Sequence, residues 1–141
     1  MKRILLAEDD EFDFDLLLNA MSVINIPFSL DRVTDGEKLL SKLKEEEYDL
    51  IFLDVHLPRI DGYECLNEIR KRPELNGLPV IIITTANDGA TIHRFFAAGA
   101  HAYFSKSYNA AKWQAVLKII LAVDWKKQGL PKTLKEFVIE V

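Results

Sequence analysis

Four short runs of this chain are apolar without interruption: Ile4-Leu5-Leu6-Ala7, Leu50-Ile51-Phe52-Leu53, Val80-Ile81-Ile82-Ile83 and Ala102-Tyr103-Phe104. A strand covered on both faces reads in this way, whereas a strand with one wet face alternates with polar residues. The segments between the runs have helical spacing instead. A helix opening at Asp10 or Glu11 reaches about Ile24, where Asn25-Ile26-Pro27 stops it, because the residue before proline resists helical geometry. Residues 28–33 are predicted as a further strand. Thr34-Asp35-Gly36 offers an N-cap to a helix over residues 37–46, with Leu39, Leu40 and Leu43 on one stripe. Residues 63–71 form another helix, stopped by Arg72-Pro73. Asn87 or Asp88 caps a helix to about Ala98, with Gly99 as its C′ residue. Residues 109–124 carry Trp113, Val116, Leu117, Ile120 and Leu121 on one stripe. Five strand–helix units in this order imply an α/β fold with a parallel sheet, helices on both faces and right-handed crossovers. The flavodoxin-like (βα)5 arrangement, strand order 2-1-3-4-5, is the simplest solution.

In such a sheet all carboxyl ends of the strands share one edge, where open α/β sheets bind ligands. The four apolar runs end in Glu8-Asp9-Asp10, in Asp54, in Thr84-Thr85 and in Ser105-Lys106. Glu8, Asp9 and Asp54 are hard oxygen ligands, too few to cage Ca²⁺ but suited to Mg²⁺, which takes one or two carboxylates, waters and phosphate oxygens. Without a cation, three such carboxylates would repel and at least one pKa would rise. Lys106 and the Thr84 hydroxyl complete a clamp for a phosphoryl group, because phosphoryl transfer depends on positioning and charge stabilisation. Asp54 is then the nucleophile, forming an acyl phosphate. The bland alternative is a structural acidic cluster paired with Lys106.

The same residues resemble the receiver domains of two-component response regulators over residues 2–124. The resemblance is carried by the Glu8-Asp9 pair, by Asp54-x-x-Leu57-Pro58-x-x-Asp61-Gly62-x-Glu64, by Thr84, and by Gly99-Ala100-x-x-Tyr103-x-x-Lys106. It implies that Asp54 is the phosphoacceptor. Asp9 would bind Mg²⁺ directly, Glu8 through water, and the His56 backbone carbonyl would add a ligand. Thr84 and Lys106 would hold phosphoryl oxygens, and Tyr103 would turn inward as the Thr84 hydroxyl is drawn to the phosphate. Asp10, the third acid, would cap the first helix. The chain departs from the family at Ser107, where proline usually follows the lysine after a cis bond. A cis bond before a non-proline residue costs about 3 kcal/mol, which leaves cis and trans both open here. Thr85 replaces a small alanine, and His56 and Ala86 occupy places that influence phosphoryl lifetime.

Composition agrees with one soluble domain of 141 residues, 49% hydrophobic and 28% charged. The formal net charge of −4 argues against nucleic acid as the partner. Cys65 is the only cysteine, which excludes an internal disulfide and reads as core filler. No apolar stretch reaches the ~18 residues of a membrane span, so the expected location is the cytoplasm. The domain reading is a receiver over residues 1–124 and a C-terminal extension over 125–141, too short for a separate output domain. The extension carries Leu134, Phe137, Val138 and Ile139 and is expected to dock on its own domain. Its arrangement is similar to stand-alone receivers paired with phytochrome-type sensor kinases. The expected partners are a sensor histidine kinase or phosphotransfer protein, an unknown downstream protein, and a second copy through surplus apolar residues of the first and last long helices. The expected function is that of a phosphorylation-controlled signalling module and not of a turnover enzyme. A phosphorylation-independent interaction domain is the alternative. A phosphatase of the haloacid-dehalogenase type fits poorly, because His56 stands where its second acid would be.

Overall fold

The computed structural model describes residues 1–141. Its strands are β1 (Lys2–Ala7), β2 (Phe28–Val33), β3 (Leu50–Leu53), β4 (Val80–Thr84) and β5 (Ala102–Ser105). They pair in parallel in the order β2-β1-β3-β4-β5, the flavodoxin-like topology. The helices are α1 (Glu11–Ser22), α2 (Gly36–Glu45), α3 (Gly62–Lys71), α4 (Gly89–Ala97), α5 (Ala110–Ala122), α6 (Trp125–Gln128) and α7 (Leu134–Phe137). Each of α1 to α4 starts where an aspartate, Asp10, Asp35, Asp61 or Asp88, accepts a hydrogen bond from the backbone N–H three residues on. That satisfies one amide left unpaired at a helix start.

The strands divide their side chains between two cores. Ile4, Leu6, Leu50, Phe52, Ile81, Ile83, Ala102 and Phe104 face α1 and α5, against Leu17, Met21, Trp113, Val116 and Ile120. Leu5, Ala7, Ile51, Leu53, Val80, Ile82 and Tyr103 face α2, α3 and α4, against Leu39, Leu66, Ile69 and Phe95. The central strands are therefore apolar at every position they bury in the two cores, which explains why those runs lack alternation. β2 lies at the sheet edge, is half-buried throughout, and mixes apolar with polar residues.

The segment after α5 docks. Trp125 packs into the α1–α5 core and its Nε1–H donates to the Ile120 carbonyl at 2.8 Å. After Gly129, at φ 75°, the chain crosses toward the outer edge of β5. There Val138 forms an isolated parallel bridge with Tyr103, and Ile139 N–H donates to the Tyr103 carbonyl at 2.9 Å. Phe137 is fully buried against Tyr103 and Phe96. This covers part of an edge whose backbone groups would otherwise stay unpaired. Of the apolar surplus on the first and last long helices, Leu17, Met21 and Ile24 are buried in the core, while Phe12, Val23 and Ile119 stay open at between 44% and 62% exposed. The extension therefore does not cover them.

Candidate functional site

The carboxyl edge gathers five of the residues singled out from the sequence. Glu8 and Asp9 follow β1, Asp54 follows β3, Thr84 ends β4 and Lys106 follows β5. Glu8, Asp54 and Thr84 are buried, while Asp9 is exposed. Ligand oxygens of Glu8, Asp9 and Asp54 lie within 4.8 Å of one another, close enough to hold one cation. Lys106 Nζ lies 2.5 Å from Glu8 Oε1, 2.9 Å from Asp54 Oδ2 and 2.7 Å from Asp13 Oδ2, with its side chain 3% exposed. The second oxygens are held by backbone: Asp10 N–H donates to Glu8 Oε2 at 3.2 Å, and His56 N–H to Asp54 Oδ1 at 3.2 Å.

Burial pushes the Glu8 carboxyl up to about 7; the bond from Lys106 opposes this and the nearby Asp54 charge adds to it. Burial alone would pull the Lys106 ammonium down, but its bonds to Asp13, Glu8 and Asp54 outweigh that and hold it above the ordinary lysine range. The pocket thus carries more negative than positive charge, in a place where desolvation makes that costly. A divalent cation at Glu8, Asp9 and Asp54 would relieve it. The donor set, all carboxylate oxygen, suits a hard cation.

The loop from β3 to α3 shapes the floor. A Cβ added to Gly62 would stand 2.4 Å from the Asp54 carbonyl oxygen, so only glycine lets α3 begin this close. Gly62 N–H donates to the Val55 carbonyl at 3.0 Å and Asp61 caps α3, which accounts for the Asp61-Gly62 pair. Arg59 adopts φ 67°, the left-handed region, within the same turn. All peptide bonds are trans, so the Lys106–Ser107 bond left open by the sequence is trans. Ser107 serves the following helix instead: its Oγ accepts from Asn109 N–H at 3.1 Å and its carbonyl from Trp113 Nε1.

Thr84 and Tyr103 meet at Ala86. Thr84 Oγ1 accepts from Ala86 N–H at 3.4 Å, and the Tyr103 hydroxyl donates to the Ala86 carbonyl at 2.7 Å. Tyr103 is wholly buried, edged by Phe95 and Phe137, and burial, with the Asp88 and Asp54 charges, pushes its hydroxyl up to about 12. His56 reaches the site through its backbone N–H and its side chain is exposed, as is that of Thr85. Cys65 is fully buried, its thiol pushed up to about 12 by burial, in keeping with core filler. Asp10 caps α1, as expected.

Asp13 was not singled out from the sequence. Its signal was present: it precedes Leu17, Ala20 and Met21 on the buried stripe of α1, so an acid there must face either the core or the sheet edge.

A family model described as response regulator receiver domain matches residues 4–118. Response regulator Rcp1 of Synechocystis sp. is 32% identical over 115 residues, which cover 77% of this chain and 78% of that protein. The crystal structure of the Mn²⁺-bound form of Rcp1 superposes with a TM-score of 0.79 at 28% identity, covering 86% of this chain and 95% of that one. The phosphorylated cyanobacterial phytochrome response regulator RcpA gives 0.77 at 31%, covering 84% and 90%. Several other curated relatives are longer, and the chain spans between 41% and 57% of their length.

Proposed function

This chain belongs to the response regulator receiver family, and on that premise we propose that it accepts a phosphoryl group on Asp54 from a histidine kinase or phosphotransfer protein. Receivers are signalling proteins of two-component systems and not turnover enzymes. The observation that carries the reading is the Lys106 ammonium 2.9 Å from Asp54 Oδ2, beside two further carboxylates that can share a cation with Asp54. The bound metal in Rcp1 and the phosphoryl group on RcpA support the same chemistry.

In the proposed step an Asp54 carboxylate oxygen attacks phosphorus. The P–O bond forms as the bond to the donor nitrogen breaks, and the electron pair returns to the donor imidazole. Asp9, Asp54 and the His56 carbonyl would hold Mg²⁺, with Glu8 holding it through water. The cation, when bound, neutralises charge on the phosphoryl oxygens. Lys106 and the Thr84 hydroxyl take the remaining oxygens. Engaging Thr84 withdraws its oxygen from Ala86 N–H, the residue that also anchors Tyr103, so Thr84 and Tyr103 form the switch pair. Output passes through protein contacts to a downstream target. Residues 1–124 act as the receiver, and residues 125–141 dock on it as an extension. The expected setting is the cytoplasm; no helix is long and apolar enough to cross a membrane. The exposed Phe12, Val23 and Ile119 provide a face for a homodimer, and sedimentation that finds only monomer at high concentration would remove that part.

The test is intact mass after incubation with acetyl phosphate and Mg²⁺, beside an Asp54→Ala chain. A gain of one phosphoryl unit that needs both Mg²⁺ and Asp54 is expected. No gain, with no uptake of beryllofluoride either, would overturn the reading in favour of a phosphorylation-independent interaction domain.

A further inference from the structure

An ammonium group has three hydrogens to donate; Lys106 hydrogen-bonds Asp13 and Asp54 and forms an ion pair with Glu8. Two of these partners, Glu8 and Asp54, belong to the group able to hold a cation. A divalent cation shared by those two would compete with Lys106 for their charge and repel the ammonium itself. Asp13 stands apart from that group. It lies in the first turn of α1, its own N–H fixed by Asp10 Oδ1 at 2.9 Å, and its side chain is 9% exposed. An ionised carboxylate in such a place is costly unless paired, and its one ion-pair partner here is Lys106.

We propose that Asp13 is a positioning residue that keeps the Lys106 ammonium over Asp54 when Glu8 and Asp54 turn to the cation. This rests on the reading of Asp54 as phosphoacceptor. With Asp13 as a fixed anchor, Lys106 can release its bond to Glu8, keep the one to Asp13, and direct a freed N–H at an incoming phosphoryl oxygen. Without the anchor the lysine ammonium has no charged partner outside the residues that would share the cation. A merely structural ion pair would tie α1 to the end of β5 and affect stability, but would leave the rate of phosphoryl acceptance in the folded protein unchanged.

Two variants and two readouts separate these roles. Asp13→Ala removes the anchor. Asp13→Asn keeps an acceptor oxygen of the same reach in a side chain of nearly the same shape. The first readout is the rate of phosphorylation by acetyl phosphate with Mg²⁺, followed by intact mass at a temperature where each variant is folded by circular dichroism. The second is the ¹⁵N signal of the Lys106 ammonium in metal-free protein, identified by its loss in Lys106→Met. We expect Asp13→Ala to slow phosphorylation by about tenfold or more, since small misplacements of a positioning group carry penalties of this size, and to broaden the Lys106 signal. Asp13→Asn should stay within about threefold of wild type and keep that signal, because its hydrogen bond is retained. An Asp13→Ala protein phosphorylated at the wild-type rate would overturn the proposal, as would an Asp13→Asn protein that loses as much as Asp13→Ala. If wild type itself gains no mass, the phosphoacceptor reading fails. The ammonium signal then decides alone: one unchanged in Asp13→Ala overturns the anchoring role, and one lost in Asp13→Ala and kept in Asp13→Asn upholds it.

Discussion

Two buried groups on this protein titrate in opposite senses, and acid stability should show both. His101 is 5% exposed, between β4 and α3; its Nδ1 accepts from Val80 N–H at 3.3 Å and faces Arg70 Nη2 at 3.4 Å. Burial first, and the Arg70 charge second, pull it down to about 4 from an ordinary 6.5. The folded protein therefore holds His101 neutral, while the unfolded chain protonates it below 6.5. Stability from this group is fully present above pH 6.5 and is lost as pH falls toward 4. Between pH 7.5 and 5 the loss comes to about 2 kcal/mol. Glu8 runs the other way. Raised to about 7 from 4.5, it is protonated in the folded state while the unfolded chain is ionised, so stability increases as pH falls from 7 to 4.5. Over the same interval that gain is also about 2 kcal/mol.

In the wild-type chain the two contributions oppose each other between pH 7.5 and 5, and single variants should expose each one. Urea unfolding in EDTA at the two pH values measures this. His101→Gln, which keeps an acceptor near Val80 N–H, should gain about 2 kcal/mol on acidification relative to wild type. Glu8→Gln should lose about as much. A His101→Gln protein whose pH 5 and pH 7.5 stabilities differ by the same amount as those of wild type would refute the assignment of a neutral, buried His101.

Three further outcomes follow from the packing. Gly62→Ala places a methyl group 2.4 Å from the Asp54 carbonyl oxygen and should cost about 1–3 kcal/mol in thermal or urea unfolding, with lowered phosphorylation as the floor of the site moves. Lys106→Met leaves Glu8, Asp13 and Asp54 without their counter-charge; metal-free protein should lose about 3–5 kcal/mol, and millimolar Mg²⁺ should restore part of it, both read by melting. Leu66→Ala empties a fully buried position between α3 and the sheet and should cost about 2–5 kcal/mol without changing the site's chemistry.

Much of the fold and most of the candidate site could be read from the chain because the central strands are buried on both faces. Residues 50–53 and 80–83 are apolar throughout, and their ends mark where polar groups must emerge at one edge. The capping aspartates Asp10, Asp35 and Asp88 made three helix starts legible for the same local reason, while the Asp61 cap of α3 emerged only in the structure. Asp13 escaped because an acid in a helix's first turn is favourable in any context, through the helix dipole. Only the approach of Lys106, 93 positions away in the chain, gives it a role. His101 escaped for the same reason, its environment being made by Arg70 and Val80 from other elements. α6 and α7 are four residues each, too short to show periodicity, and Phe137 became a core residue only because the extension returns to β5.

That return has a consequence for the switch pair. Tyr103 is held at both ends: its hydroxyl by the Ala86 carbonyl, its backbone carbonyl by Ile139 N–H, and its ring by Phe95 and Phe137. The extension thus bears on Tyr103 directly, and the strand-end hydroxyl of Thr84 bears on it through Ala86. Contact alone does not establish energetic coupling, which needs a cycle. Tyr103→Phe removes one neutral hydrogen bond and should cost about 1 kcal/mol. Phe137→Ala opens a cavity beneath the ring and should cost about 3–5 kcal/mol. If the extension fixes the ring for the Ala86 bond, the double variant should lose less than the sum, by up to about 1 kcal/mol, the worth of that bond. Amide exchange at Ile139 should also quicken in Phe137→Ala, as docking loosens. Strict additivity, within about 0.3 kcal/mol, would mean that the extension covers the β5 edge without restraining Tyr103, and the aromatic would then answer to Ala86 alone.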